Sequence, residues 1–149
     1  MTLSARMPSR GSLRLYRGLP GSGKTIAALV AREATPRTVQ LESVDPFGID
    51  YGARYEVGRL DRSCARVQSA LLEGIDVYVH ACFLTTKEMI PYLRLARDAG
   101  ARCEIVDLYD AGMSDEQLVD RCIHNVPLSV IRWARTRYDR IKSGQEGLE

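Results

Sequence analysis

One eight-residue segment near the N-terminus constrains the fold of this chain more than any other part of the sequence. Residues 18–25 read Gly-Leu-Pro-Gly-Ser-Gly-Lys-Thr and match G-x-x-x-x-G-K-[ST] at every specified position. Glycines in this spacing let the backbone curl so that its N–H groups converge on a phosphate, and a following helix adds the positive end of its dipole. The segment therefore predicts a phosphate-binding loop, with a simple glycine-rich turn as the alternative.

The same motif predicts a role for the individual loop residues. In this pattern the lysine, Lys24, contacts the β- and γ-phosphates of a nucleoside triphosphate, and the hydroxyl of Thr25 coordinates Mg²⁺. Thr25 is therefore the expected metal ligand. The expected nucleotide-binding residues are Gly18, Gly21, Ser22, Gly23, Lys24 and Thr25.

The rest of the chain alternates short β-prone runs with longer segments of helical period. This alternation predicts an α/β domain with a mostly parallel central sheet of about four to five strands. Together with the loop motif it predicts the three-layer sandwich of a P-loop NTPase. The predicted strands are 12–16, 38–41, the run around 77–79, and 102–108. The predicted helices are 24–34, 61–73, 85–99, a segment that starts after Ser114, and 127–141.

The composition is that of an ordinary globular protein. Of 149 residues, 45% are hydrophobic and 27% are charged, so we expect a single domain over 1–149, with a flexible arm at 1–11 and a flexible tail at 143–149. The longest apolar run, 26–31, is far shorter than the roughly 20 residues that span a bilayer, and no secretory signal is recognisable. We therefore expect a cytoplasmic protein without a membrane partner.

Basic residues are concentrated in two stretches. No acidic side chain precedes Glu33, and the second stretch is offset by Asp139 alone. We expect the first stretch to attract anions, and the second could follow a nucleic-acid backbone. The alternatives are a solvated charged face and the arginine usage of a GC-rich genome. The residues are Arg6, Arg10, Arg14, Arg17, Lys24 and Arg32 in the first stretch, and Arg132, Arg135, Arg137, Arg140 and Lys142 in the second.

The loop motif alone does not decide the reaction, because switches, motors and kinases share it. The sequence has no N-K-x-D element for guanine recognition, which disfavours a GTPase switch. The chain is also short for the additional strands and assembly surfaces of a motor ATPase. A small phosphotransferase is the class that remains.

Three segments together point to one family. The first is the loop at 18–25, with a proline before its second glycine. The second is Glu-Ser-Val-Asp-Pro-Phe at 42–47, an aspartate followed by an aromatic residue at the end of the second predicted strand. The third is Arg-Cys-Ile-His-Asn-Val-Pro at 121–127, followed by an amphipathic helix. In this combination the chain resembles the bacteriophage polynucleotide 5′-hydroxyl kinase group, small P-loop kinases that phosphorylate hydroxyl groups on nucleic acids.

The resemblance implies a kinase with a helical lid that uses ATP and Mg²⁺ and has DNA or RNA as its acceptor. The acceptor group would be a 5′-hydroxyl end or the hydroxymethyl group of a modified pyrimidine such as 5-hydroxymethyluracil. The implied catalytic residues are Lys24, Asp45 as the base, and Arg121 as a lid residue over the phosphates. For Asp45 the alternative is an Asp-Pro turn, and for Arg121 it is a solvated arginine on a helix face.

The sequence departs from the family pattern near the expected site. His80 stands where the family has an acidic residue after the central strand, and Gly48 stands near the place of an arginine. A histidine there could act as a base or contact a phosphate, and the alternative is a satisfied, partly buried side chain. Without the usual acid, Asp107 or Asp110 after the fourth predicted strand could assist Mg²⁺.

Two other functions stay open on the sequence alone. A kinase for a small metabolite or a nucleotide would use the same loop and would not need a polynucleotide. A nucleotide-binding interaction module without catalytic transfer is the other alternative, suggested by His80 in the place of the acid.

Overall fold

The computed structural model describes residues 11–44, 58–123 and 125–141, without the side chain of Arg59. Residues 1–10 of the expected arm and all of the expected tail lie outside the described residues. The strands are β1 Ser12–Arg17, β2 Val39–Ser43, β3 Asp76–His80 and β4 Arg102–Asp107. The helices are α1 Lys24–Glu33, α2 Arg59–Leu72, α3 Ile90–Ala99, α4 Asp115–Arg121 and α5 Leu128–Arg137. Among the described helices, none has the length and apolar character needed to cross a membrane.

The four strands form one parallel sheet in the order β2-β3-β1-β4. In the interior strand β1, Leu13 pairs with Val77 of β3 on one side and with Cys103 of β4 on the other. Because all strands run in the same direction, their carboxyl ends meet at one edge of the sheet, which we call the carboxyl edge. The predicted α/β class with a mostly parallel sheet is confirmed, with four strands.

Helices cover both faces of this sheet. On one face, Val67 of α2 and Tyr92 of α3 are fully buried in the main hydrophobic core. On the opposite face, Ala28 of α1 packs with Tyr16 of β1 and Tyr78 of β3. Alternate strand residues point to opposite faces, which is why one strand contributes to both cores. The arrangement is the predicted three-layer sandwich.

Helices α4 and α5 form a second unit beside the loop at 18–25. Leu118 of α4 and the pair Ile131 and Ala134 of α5 are completely buried, in one cluster with Leu19 of the loop. Ile131 and Ala134 follow the three-residue spacing that predicts a buried helix face. The two helices therefore stand where the lid was expected, packed against the loop.

Capping signals in the sequence predicted two helix starts correctly. The Ser114 hydroxyl accepts a hydrogen bond from the Gln117 N–H at 3.2 Å, and the Gln117 side chain accepts one from the Ser114 N–H at 2.9 Å. Thr85 forms a second capping box at the start of a short 3₁₀ turn, Thr86–Met89, which continues into α3. Pro91 lies in the first turn of α3, where its missing N–H costs little.

The last helix is shorter than predicted, ending at Arg137 rather than near residue 141. Tyr138 adopts extended backbone angles, and the N–H of Asp139 donates to the carbonyl of Leu84 at 3.0 Å. The Asp139 carboxylate in turn accepts the N–H of Thr86 at 2.8 Å. These contacts with the segment after β3 replace the helical hydrogen bonds of another turn, and the helical period of the sequence does not reveal them.

Candidate phosphate-binding site

The loop at 18–25 leaves β1 at the carboxyl edge and leads directly into α1. The N–H of Gly18 donates to the carbonyl of Cys82 at 3.2 Å, and the N–H of Leu19 donates to the carbonyl of Tyr109 at 2.8 Å. Within the loop, the N–H of Ser22 donates to the carbonyl of Leu19 at 3.0 Å. The loop is thus held by the segments that follow β3 and β4.

Three glycines allow the loop to curl tightly. Gly21 and Gly23 have φ angles of +84° and +99°, in the left-handed region that favours glycine. A Cβ at Gly21 would lie 2.3 Å from the carbonyl oxygen of Leu118 in α4, and a Cβ at Gly18 would lie 2.4 Å from Oγ of Ser22. A larger residue at Gly21 would push the loop away from α4. A larger residue at Gly18 would push the start of the loop away from Ser22.

The donors around the loop fit a chain of phosphates. Nζ of Lys24 donates to the carbonyl of Leu19 at 3.1 Å, so the ammonium lies across the loop. No side chain caps α1 at Gly23, and the first N–H groups of a helix have no acceptor within it. The buried hydroxyl of Ser22 also has no hydrogen-bond partner among the described residues. Unpaired N–H groups, an ammonium and a helix N-terminus together favour an anion.

Thr25 and His80 meet beside the loop. Oγ1 of Thr25, in the first turn of α1, is 3.2 Å from Nδ1 of His80, the last residue of β3. The threonine oxygen is the kind of ligand that Mg²⁺ prefers, whereas the imidazole brings no negative charge. Among the described residues, no group of three His, Cys, Asp or Glu side chains could hold a metal.

Arg121, the last residue of α4, lies over the loop. Its Nη2 atom is 3.6 Å from the position that a Cβ would take at Gly23. The side chain is exposed and pairs with no carboxylate of the described residues. The fold thus gathers Lys24, Thr25 and Arg121, three of the residues singled out in the sequence, around one curled loop.

Two solved structures share this architecture. A chain of the Pnkp1/Rnl/Hen1 RNA repair complex superposes with a TM-score of 0.65 at 16% identity, and the match covers 91% of this chain and 46% of that one. A gluconokinase from Sinorhizobium meliloti 1021 superposes with a TM-score of 0.57 at 16% identity, and the match covers 93% of this chain and 80% of that one. The chain has a P-loop kinase fold.

The fold predicted from the loop motif and the order of segments is confirmed. At 16% identity the likeness concerns the fold and not the substrate. This chain spans about half the length of the RNA repair chain that it matches. No family model and no curated protein sequence matches it.

The expected catalytic base, Asp45, lies outside the described residues, as do residues 46–57. Strand β2 ends at Ser43, which pairs with His80 in the β2–β3 register. Val44 is the last described residue before the gap and is buried in the main core. The chain therefore leaves β2 at the carboxyl edge beside His80, and the role of Asp45 stays a prediction.

Asp107, the last residue of β4, and Asp110, which follows it, could have assisted Mg²⁺ but have arginine partners instead. Asp107 accepts hydrogen bonds from Nη1 of Arg17 at 3.1 Å and from the hydroxyl of Tyr138 at 2.5 Å. Asp110 accepts one from Nη1 of Arg135 at 2.7 Å, and this bond lowers the pKa of the Asp110 carboxyl. The two carboxylates thus join β1, α5 and the segment after β4, and nothing in their contacts points to a metal.

Many arginines of the two basic stretches have ion-pair partners within the fold. Arg135 bridges Asp110 and Asp115, each at 2.7 Å, and Arg14 lies 3.7 Å from Glu104. Further ion pairs within the fold involve Arg17, Arg32 and Arg132. Arg6, Arg10 and Lys142 lie outside the described residues. Among the described residues, Lys24 and Arg121 are cations that the fold places at the loop.

Arg17 has a structural role that sequence reasoning missed. It is the last residue of β1 and is 0% exposed. Its guanidinium donates to the carbonyl of Phe83 at 2.7 Å and of Leu84 at 3.1 Å, and forms ion pairs with Asp107 at 3.1 Å and Asp139 at 3.2 Å. One side chain thereby joins β1 and β4 to the segments after β3 and α5. The signal in the sequence is a charged residue at the end of a strand directly before the loop.

Proposed function

We propose that this chain is an ATP-dependent kinase that transfers the γ-phosphate to a hydroxyl group of a nucleic acid. The observation that carries the proposal is the meeting of Lys24, Thr25 and Arg121 around one curled loop. Open α/β sheets bind their ligands at the carboxyl edge, and the loop lies at that edge. The P-loop kinase fold supports the same location.

The loop and the lid supply the charge that phosphoryl transfer needs. Unpaired N–H groups at the start of α1 bind the phosphates, and Nζ of Lys24 exchanges the Leu19 carbonyl for phosphate oxygens. Arg121 binds the transferring phosphoryl group, whose negative charge is spread over three oxygens in the transition state. Mg²⁺, held by the Thr25 oxygen and the phosphates, would neutralise part of that charge.

Asp45 is the proposed general base. It accepts the proton of the acceptor hydroxyl while that oxygen bonds to the γ-phosphorus, and the bond between the phosphorus and the β–γ bridging oxygen breaks to release ADP. Its place two residues after Ser43, the end of β2, supports this role, because β2 ends at the carboxyl edge. The loop leaves β1 at the same edge.

Two exposed cations support a polynucleotide as the acceptor. Lys87 follows Thr86 in the chain and Arg140 follows Asp139, and the Thr86 N–H is hydrogen-bonded to the Asp139 carboxylate at 2.8 Å. Arg140 also lies over the ring of Tyr109, 4.9 Å from its centre, and the Tyr109 carbonyl holds the loop. Exposed cations near the phosphate site suit the backbone of DNA or RNA. The acceptor group would be a 5′-hydroxyl end or the hydroxymethyl group of a modified pyrimidine.

A kinase for a small metabolite or nucleotide is the second candidate. The observation that favours it is the gluconokinase match, which covers 80% of that enzyme, compared with 46% of the RNA repair chain. Such an enzyme would need no polynucleotide, and its rate would depend weakly on salt. A nucleotide-binding module without transfer remains the third candidate, because His80 replaces an acid at the site.

The test is transfer of labelled γ-phosphate from ATP with Mg²⁺ to three oligonucleotides and, in separate reactions, to nucleosides and to sugars. One has a free 5′-hydroxyl, one is blocked by a 5′-phosphate, and one is blocked but carries internal 5-hydroxymethyluracil. Lys24→Ala should abolish transfer, because it removes the ammonium at the phosphates. Arg94→Ala is the matched control, since Arg94 is an exposed cation on α3 and should transfer at the wild-type rate.

The acceptor that becomes labelled distinguishes the candidates. Labelling of the first oligonucleotide alone indicates a kinase for 5′-ends, and labelling of the third indicates a kinase for the modified base. Labelling of nucleosides or sugars but of no oligonucleotide would contradict a nucleic-acid acceptor and support the second candidate. ATP binding without transfer to any acceptor would contradict the kinase proposal itself.

A further inference from the structure

Arg135 of α5 joins that helix to α4 and to the segment between β4 and α4. Its Nε atom donates to the carboxylate of Asp115, the first residue of α4, at 2.7 Å. Its Nη1 atom donates to the Asp110 carboxylate at 2.7 Å and to the Tyr109 hydroxyl at 3.2 Å. Its Nη2 atom donates to the carbonyl of Met113 at 3.2 Å. Most of the hydrogen bonds of this guanidinium therefore go to the segment between β4 and α4.

That segment, residues 108–113, is a turn whose backbone is strained. Tyr109 and Ala111 have φ angles of +48° and +52°, in the left-handed region that residues other than glycine rarely adopt. Such conformations persist only where the surrounding contacts hold them in place. Arg135 supplies contacts of this kind, because it binds Tyr109 and Asp110 directly before Ala111.

The same turn holds the start of the phosphate-binding loop. The carbonyl of Tyr109 accepts the N–H of Leu19 at 2.8 Å. The same oxygen would lie 3.2 Å from a Cβ at Gly18, so the turn and the loop are in close contact. The carbonyl of Leu19 in turn accepts a hydrogen bond from Nζ of Lys24 at 3.1 Å. The position of the loop backbone therefore depends on where the turn places the Tyr109 carbonyl.

We propose that Arg135 is a positioning residue for the phosphate-binding loop. Its guanidinium holds the turn at 108–113, and the Tyr109 carbonyl of that turn holds Leu19. Without the guanidinium the strained turn relaxes, and the loop no longer has a fixed shape before a nucleotide binds. A loop that must be ordered during binding gives a lower affinity than a preorganised one. The effect on ATP affinity rests on the proposed function.

The first experiment is amide hydrogen exchange, followed by NMR on the full chain without nucleotide. It measures how firmly the turn holds the N–H of Leu19. Arg135→Gln removes the guanidinium, and Arg132→Gln is the matched control. Arg132 lies on the same helix and is 60% exposed, and its ion-pair partners Asp115 and Glu116 both belong to α4. The two variants thus lose the same charge from the same helix.

Asp110→Asn is the second informative variant, because it removes the carboxylate of the turn that Arg135 binds. It also gives a result if Arg135→Gln does not fold. In both variants we expect the Leu19 amide to exchange at least about tenfold faster than in Arg132→Gln. The amide of Val67, which is fully buried in α2, should be accelerated by a factor at least about threefold smaller.

The second experiment is titration calorimetry of ATP with Mg²⁺, at a temperature where thermal unfolding shows that each variant is folded. Arg135→Gln removes a positive charge and Asp110→Asn removes a negative charge, so long-range electrostatics alone would change Kd in opposite directions. Loss of positioning changes Kd in the same direction in both. We expect Kd to rise by at least about fivefold in each variant relative to Arg132→Gln.

Equal acceleration of the Leu19 and Val67 amides would indicate a role in global stability alone and would overturn the inference. An unchanged or lower Kd for Asp110→Asn, or a Kd for Arg135→Gln equal to that of Arg132→Gln, would also overturn it. Each of these results leaves ATP binding by the wild type intact, so the proposed function would stand. If the wild type binds no ATP, the proposed function is overturned, and the inference with it.

Discussion

Replacing Arg17 by methionine tests how strongly one buried side chain stabilises the fold. Methionine fills much of the same space but donates no hydrogen bond, so Asp107 and the carbonyls of Phe83 and Leu84 each lose a donor. Removing one partner of a buried ion pair costs about 3–5 kcal/mol. Because the second carboxylate, Asp139, is 46% exposed and water can replace that contact, we expect the lower end, about 3 kcal/mol.

Urea unfolding followed by circular dichroism measures this free energy, and the melting temperature should fall by about 10 °C. Arg102→Met is the matched control, since Arg102 is 86% exposed and only 3.6 Å from Glu104, and it should cost less than about 0.5 kcal/mol. Arg17→Lys keeps the charge but not the planar fork of donors. Its loss of unfolding free energy should therefore lie between those of Arg102→Met and Arg17→Met. The reasoning would be refuted if Arg17→Met lowered the free energy of unfolding by less than about 1 kcal/mol, or if Arg17→Met and Arg102→Met lowered it equally.

Three further predictions concern the loop, an ion pair and a thiol. Gly21→Ala should lower the free energy of unfolding in urea by about 3 kcal/mol. Gly112 has a similar φ but open space around it, so Gly112→Ala should lower it by about 1 kcal/mol. Equal losses for the two variants would contradict the close packing of the loop. The lowered pKa of Asp110 beside Arg135 stabilises the fold at neutral pH, and this contribution should disappear as pH falls from about 5 towards 2, so the stability difference between wild type and Asp110→Asn should shrink over that range. Burial raises the pKa of Cys103 to about 11, so mass spectrometry should find it alkylated slowly at pH 8 in the native protein and rapidly after unfolding; fast native labelling would contradict its burial.

Local signals explain why most elements could be predicted from the sequence. The loop motif marks where a strand must end and a helix must begin, and the predicted bounds 12–16 and 24–34 differ from the observed β1 and α1 by one residue each. Gly100 ends α3 with a φ of +67°, and Ser114 begins α4 through its capping box. Each of these signals acts within a few residues of the chain, so it can be recognised without the tertiary structure.

Contacts between distant residues explain what the sequence could not reveal. Nothing in the sequence near Arg17 distinguishes it from other basic residues. Its partners Phe83 and Asp139 lie 66 and 122 residues away along the chain. Thr25 and His80 are 55 residues apart, so the motif predicted the threonine but not its imidazole partner. Arginine pairing inside the fold likewise depends on which strands become neighbours, which is why the basic stretches were interpreted as anion-binding surfaces.

The most direct test of the account is the affinity of the loop for ATP, measured by calorimetry on the wild type and three variants. Lys24→Ala should weaken binding by at least about tenfold and Arg121→Ala by severalfold, because each removes a charge-assisted contact with the phosphates. Arg94→Ala, which removes a cation on α3, should bind as the wild type does. Failure of the wild type to bind ATP, or equal affinity of Lys24→Ala and the wild type, would contradict a nucleotide site at this loop.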